Sequence, residues 1–254
     1  MADLPELTPI AEWPTLTAAE VRRMTRPTNP YVAEAEARCL AGDDLIIATL
    51  KNLVEERTSA QTLQPCLSAA VTSGSEPLVH RLLSPGVPVD IESVRIAITL
   101  KALKILSLFV RYGWDIDKEV EWCHPSPLSL AVGPDVDIDE ETISWFLANG
   151  ADPDKSCGMD VTPLSLAVQY APLLIVLMLL ESSGPARMGQ LLHHAAWRTS
   201  HDCGEVGRLI LERCDFGVNG IMYKNHALSF ETRKIVGQGT PLHEAARAGR
   251  PEMV

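Results

Sequence analysis

The chain has 254 residues, 46% apolar and 22% charged, with a formal net charge of −11. That balance excludes wholesale disorder, because enough apolar surface is present to fill a core. The acidity argues against nucleic acid, whose phosphates need clustered Lys and Arg, and against adhesion to an anionic membrane surface.

Residues 1–30 are rich in Pro and Thr and read as an irregular leader with one short helix. Thr17 and Glu20 have capping-box spacing and would start that helix. Arg22, Arg23 and Arg26 form a small basic group, the kind of short charge run that solvent usually covers. The opening "MADLPELTPIAEW" has neither the basic start nor the apolar stretch of a signal peptide. Six cysteines, at 39, 66, 123, 157, 203 and 214, form no C-x-x-C pair. They read as reduced, mostly buried thiols of an intracellular protein, cytoplasmic or nuclear.

From residue 31 onward one theme recurs. "SPLSLAV" begins at Ser126, "TPLSLAV" at Thr162 and "TPLHEAA" at Thr240, with degraded copies "PCLSAAV" at Pro65 and "QLLHHAA" at Gln190. Ser or Thr can cap the free backbone N–H groups of a helix start. Pro suits the first helical position, where its missing N–H costs nothing. A second helix follows in "ALKILSLFVRYGWDID", "EETISWFLANGADPD" and "EVGRLILERCDFGVN". The first two run into Gly113 and Gly150, suited to a left-handed turn after a helix.

Short helix, short helix and projecting loop, with a step of 36 residues from Ser126 to Thr162 that is close to the period of about 33, resembles the ankyrin repeat. "TPLHEAARAG" and "LANGADPD" carry the resemblance best, over roughly residues 60–254. The expected fold class is therefore all-α, an ankyrin-repeat solenoid of stacked helix-turn-helix units. About seven units are expected over 31–254: about 31–60, then 65–90, 91–117, 126–154, 162–184, 189–221 and a broken one from 240. The unit containing "IESVRIAI" has lost the entry motif. Ending at "RPEMV" without a polar capping unit, the sequence reads as C-terminally incomplete.

The run from Ala171 to Leu180 is too short and too interrupted to span a bilayer, which takes about 20 residues. Ile175, Val176, Leu179 and Leu180 are the inward set any unit needs, which leaves Leu174 and Leu177 as surplus apolar residues on the outer face. Partial cover by neighbours or by the leader, or contact with a partner, would each account for them.

The connection from Asn219 to Thr240, "NGIMYKNHALSFETRKIVGQGT", is unusually long and carries Met222, Tyr223, Phe230 and Arg233. It resembles an elongated finger of ankyrin proteins from filamentous fungi. These side chains either fold back on the flanking units or anchor a partner. The register puts Gln169 and Tyr170, Trp197 and Arg198 at the ends of first helices, where the resemblance implies a binding groove; Trp197 suits a core position equally.

Enzymatic machinery is not expected. There is no phosphate loop and no G-x-S-x-G elbow. His193 and His194 are adjacent and point to different helix faces, and His243 reads as a structural helix-entry residue. Cys123, His124 and Cys157 fall on neighbouring loops but do not make a compact four-ligand set, so no metal and no cofactor are expected. The resemblance implies a non-catalytic protein–protein interaction module with an unidentified partner, basic or neutral rather than acidic. An adaptor role within a longer chain, or less readily a metal-dependent enzyme, are the rival readings.

Overall fold

The computed structural model describes residues 30–46, 48, 50, 60–184, 189–213 and 217–253. The leader, its Thr17 capping box, the arginine group at 22–26 and Cys214 lie outside the described residues. Thirteen α-helices and no strand occur among the described residues, and none is long and apolar enough to cross a membrane.

The helices are α1 (Pro30–Leu40), α2 (Gln64–Thr72), α3 (Glu76–Leu83), α4 (Ile91–Thr99) and α5 (Leu103–Arg111). They continue with α6 (Leu128–Ala131), α7 (Glu140–Ala148), α8 (Pro163–Tyr170) and α9 (Leu173–Ser182). The last four are α10 (Leu191–Trp197), α11 (Cys203–Arg213), α12 (Ala227–Arg233) and α13 (Pro241–Ala248).

Their packing follows two series. One runs α1, α2, α4, α6, α8, α10, α13, each member packed on the next. Beside it, α3 packs on α5 and α7 on α9, and Trp145 of α7 donates its indole N–H to the Ser107 hydroxyl of α5 at 3.0 Å. Pairs such as α2–α3, α4–α5, α6–α7, α8–α9 and α10–α11 tie the two series together. The apolar stripes meet between them in one continuous core reaching from Val32 to Ile210. No single pair of short helices could bury its own stripe; each depends on the pair beside it.

The entry motifs act as their chemistry dictates at two places. Thr162 accepts the N–H of Ser165, and the Ser165 hydroxyl accepts the N–H of Thr162 in return. Thr240 and His243 make the same reciprocal pair through the imidazole Nδ1. Pro163 and Pro241 open their helices. The third motif behaves differently. Helix α6 has four residues and starts without a side-chain cap, although "SPLSLAV" reads like its neighbour. Pro134 disfavours helical backbone at Gly133 and cuts the helix short.

Asp90 and Asp139 supply helix starts where the sequence offers no Thr-Pro. Their carboxylates accept the N–H groups of Ser93 and Thr142 at 3.0 and 2.9 Å. These bonds to Thr142, its hydroxyl first, hold the Asp139 carboxyl below the usual range. Gly113 and Gly150 follow α5 and α7 at φ of +84° and +89°, and the chain turns back there with Trp114 and Ala151 donating to Phe109 and Phe146. At α11 a close approach replaces a turn. A Cβ on Gly204 would lie 2.5 Å from the Glu252 carbonyl oxygen, so glycine there lets the 3₁₀ turn Pro251–Met253 settle on that helix.

In the apolar run, Ile175, Val176, Leu179 and Leu180 are all buried. Leu174 is 53% exposed and Leu177 half-buried. The long connection also differs from a plain loop: its centre is helix α12, begun by His226, whose ring accepts the N–H of Ser229.

Candidate functional site

A groove of about 590 Å³ runs along the ends of the first helix series. Helix α4 contributes Arg95 and α6 Ser129; α8 contributes Gln169 and Tyr170, and α10 His194 and Trp197. The long connection closes one side with Tyr223 and Arg233, and the turn at Cys123 and His124 closes another. Gln169, Tyr170, Trp197, Tyr223 and Arg233, far apart in sequence, are thus brought to one place.

The floor is a polar chain. His194 Nδ1 lies 2.8 Å from the Gln169 Oε1, and the Gln169 amide donates to the Tyr170 hydroxyl at 2.8 Å. Burial lowers the His194 pKa to about 3, with the charges of His193 and Arg233 pushing the same way. The ring is therefore neutral at physiological pH. Its hydrogen sits on Nδ1 toward Gln169, and Nε2 presents a lone pair. Trp197 packs edge-on against this ring at 5.3 Å and donates from Nε1 to the buried Glu244 carboxylate at 3.1 Å.

Three side chains bordering the groove carry a buried polar atom with no partner among the described residues: Ser129 Oγ, His194 Nε2 and the Tyr223 hydroxyl. Such atoms cost free energy unless something meets them, on the order of 1–3 kcal/mol each. Tyr223 is 1% exposed, and burial raises its hydroxyl pKa to about 12, against the lowering charge of Arg233. The Arg233 guanidinium stands 5.8 Å from the Tyr223 ring centroid, within cation–π range.

The long connection is tied back largely around Asp160. Asp160, itself buried, accepts from the Gly189 N–H at 2.7 Å and from the Gln190 side-chain amide. The amide oxygen of Gln190 accepts the Tyr223 N–H at 3.2 Å. The backbone N–H of Asp160 donates to Ser229 on α12 at 3.0 Å. Met222 donates its N–H to the Gly239 carbonyl at 3.0 Å, and His193 Nε2 sits 3.2 Å from the same oxygen. The finger therefore folds back on the flanking units. Met222 is buried with the fold rather than displayed, and Phe230 is half-buried, its carbonyl accepting from Gln238.

Two further positions singled out from the sequence fall elsewhere. Arg198 is only 2% exposed; its guanidinium makes a two-point pair with Asp202 at 2.6 and 2.7 Å and donates to the Val168 carbonyl. Its side chain is consumed inside the protein, because a buried guanidinium must be paired. Leu174 and Leu177 lie on α9, in the other helix series, and do not border the groove.

The suggested trio of Cys123, His124 and Cys157 is not the one the fold assembles. Cys157 is buried, with its thiol on the Met159 carbonyl at 3.1 Å and its pKa raised by burial. Glu121 takes the third place beside Cys123 and His124, and their ligand atoms all lie within 4.8 Å of one another. Sequence reading missed Glu121 because it looks like any exposed acid. It missed Arg95 because the unit around "IESVRIAI" has no entry motif to set its register. His194 was in view as one of an adjacent pair, with nothing to show which ring faces the groove.

No protein-family model matches the chain, and no curated protein matches it.

Proposed function

We propose that this chain is an ankyrin-type solenoid that recognises a protein partner through the groove bordered by Tyr170, Trp197, Tyr223 and Arg233, without catalysing a reaction. The supporting observation is the convergence there of aromatic and arginine side chains with three unmet buried polar atoms. Aromatic and Arg side chains are the types that carry most binding energy in protein interfaces. The two packing series, the reciprocal Thr caps and the glycine exits after α5 and α7 support the solenoid reading.

The mechanism is rigid display. Tyr223 is fixed by burial and by Gln190, and His194 by Gln169, so little ordering cost remains when a partner binds. What a partner reaches is Tyr170, 42% exposed, with the exposed Arg233 and the half-buried Trp197; the Tyr223 hydroxyl and His194 Nε2 lie beneath them, closed to solvent. The chain's overall acidity favours a basic or neutral surface around that segment.

Affinity capture from an extract of the source cells tests this. The wild-type chain should retain a protein that the Tyr170→Ala/Arg233→Ala double variant loses and the Leu174→Lys variant keeps. Equal recovery by wild type and the double variant, with both folded, contradicts the groove reading.

A further inference from the structure

We propose that Glu121, Cys123 and His124 form a binding site for one divalent transition-metal ion, zinc above all, at the edge of the groove. This site stands independently of the partner-binding reading.

The three ligands sit on a four-residue turn whose backbone is already closed. Glu121 and His124 exchange N–H···O bonds at 3.3 and 2.9 Å, and the Val120 N–H donates to the Pro125 carbonyl at 3.1 Å. The neighbouring loop braces the turn. Gly158 donates its N–H to the Glu119 carboxylate at 2.9 Å, and its Cα lies so close to the Trp122 carbonyl that an added Cβ would stand 2.7 Å from that oxygen. The turn is therefore set before any ion arrives.

The spacing of the ligand atoms fits a tetrahedral ion. With Zn–S near 2.3 Å and Zn–N and Zn–O near 2.0 Å, tetrahedral angles put sulfur and nitrogen about 3.5 Å apart and nitrogen and oxygen about 3.3 Å apart. Here Cys123 Sγ lies 3.3 Å from His124 Nδ1, and Glu121 Oε2 lies 3.7 Å from the same nitrogen. The sulfur and the Glu121 carboxylate lie within 4.8 Å of each other, so rotation of exposed side chains, by up to about an ångström for that pair, completes the geometry.

The donor set decides the kind of ion. One thiolate, one imidazole and one carboxylate suit zinc, cobalt, nickel or copper, and reject magnesium and calcium, which prefer all-oxygen cages. On binding, the Cys123 thiol loses its proton to solvent and the sulfur lone pair forms the S–metal bond; His124 binds as the neutral ring. Thiolate and carboxylate then balance the two positive charges. Three protein ligands leave a fourth position open, and because Cys123 and His124 border the groove, that position is within reach of whatever the groove holds. Each ligand is partly exposed, so the site is expected to be of moderate rather than structural affinity.

The test uses the full chain, reduced and stripped with chelator, titrated with Co²⁺ and then with Zn²⁺. One equivalent of Co²⁺ should give a near-ultraviolet thiolate-to-metal charge-transfer band that one equivalent of Zn²⁺ displaces and excess Mg²⁺ does not. Cys123→Ser should remove the band, and His124→Ala should weaken binding by about tenfold or more. Cys157→Ala should change neither. Absence of the band, its survival in Cys123→Ser, or binding of several equivalents with equal affinity in all variants (adventitious surface binding only) would overturn the assignment. Unchanged circular dichroism in the variants separates ligand loss from unfolding.

Discussion

His194 Nδ1 and Gln169 Oε1, on consecutive members of one helix series, lie 2.8 Å apart beneath the groove. This bond fixes which nitrogen of a neutral, buried imidazole carries its hydrogen. It also leaves Nε2 as a buried lone pair with no partner among the described residues. Replacing Gln169 with Leu removes the acceptor for that hydrogen and should cost about 1–3 kcal/mol in chemical denaturation. A variant as stable as wild type would show that the ring turns or finds another partner.

Burial of the same ring links stability to pH. Its pKa in the fold is about 3, below the ordinary 6.5, so between those values the unfolded chain binds a proton that the folded chain refuses. The stabilisation is present above pH 6.5 and is lost as pH falls toward 3, by up to about 1.4 kcal/mol per unit. His193, whose pKa burial also lowers, adds to the loss over the same side of neutrality. Denaturant midpoints measured from pH 7 to pH 4 should fall, and the fall should flatten in His194→Phe. An identical slope in that variant would remove His194 from the account.

Arg198 is structural. Its pairing with Asp202 keeps that carboxyl below the usual range, so this contribution holds above about pH 4 and fades as pH drops through the lowered value. Arg198→Ala should destabilise by roughly 2–4 kcal/mol, since it strips a buried ion pair and the Val168 carbonyl contact. A partner-binding defect in that variant should appear only together with the loss of stability seen in thermal melts.

The two faces of the apolar run predict opposite outcomes. Leu179→Ala opens a cavity at a fully buried position and should cost about 2–5 kcal/mol. Leu174→Lys, at a residue 53% exposed, should cost less than about 0.5 kcal/mol. Equal costs in denaturation would mean that Leu174 is covered in solution, by the leader or by a second copy.

Gln190 bridges Asp160 and the Tyr223 N–H, so Gln190→Ala should loosen the finger without melting the helix series. Amide exchange across residues 222–233 should quicken by about ten- to a hundredfold, corresponding to roughly 1–3 kcal/mol of local stability. Unchanged exchange there would show that Met222 and Tyr223 hold the finger by packing alone.

The sequence made the helices legible wherever local chemistry and apolar spacing agreed. "TPLSLAV" and "TPLHEAA" announce capped helices, and the inward set of the run from Ala171 is buried as its spacing requires. "SPLSLAV" misled because Pro134, beyond the motif, shortens the helix. The sequence left the finger open between folding back and display, because its fate depends on Asp160, which is about sixty residues away in sequence and carries no local signal. Gln169, Tyr170 and Trp197 were findable from register alone. The burial of Arg198 was not, since its neighbour Trp197 turns to the groove while Asp202, in the turn between α10 and α11, draws it inward.

The most direct test of groove recognition is hydrogen exchange of the chain with and without a captured partner. The account predicts partner-dependent protection at the ends of α4, α8 and α10 and across residues 223–233, with α9 unchanged. Protection confined to α9 and its Leu174 face, or absent from the groove altogether, would contradict it.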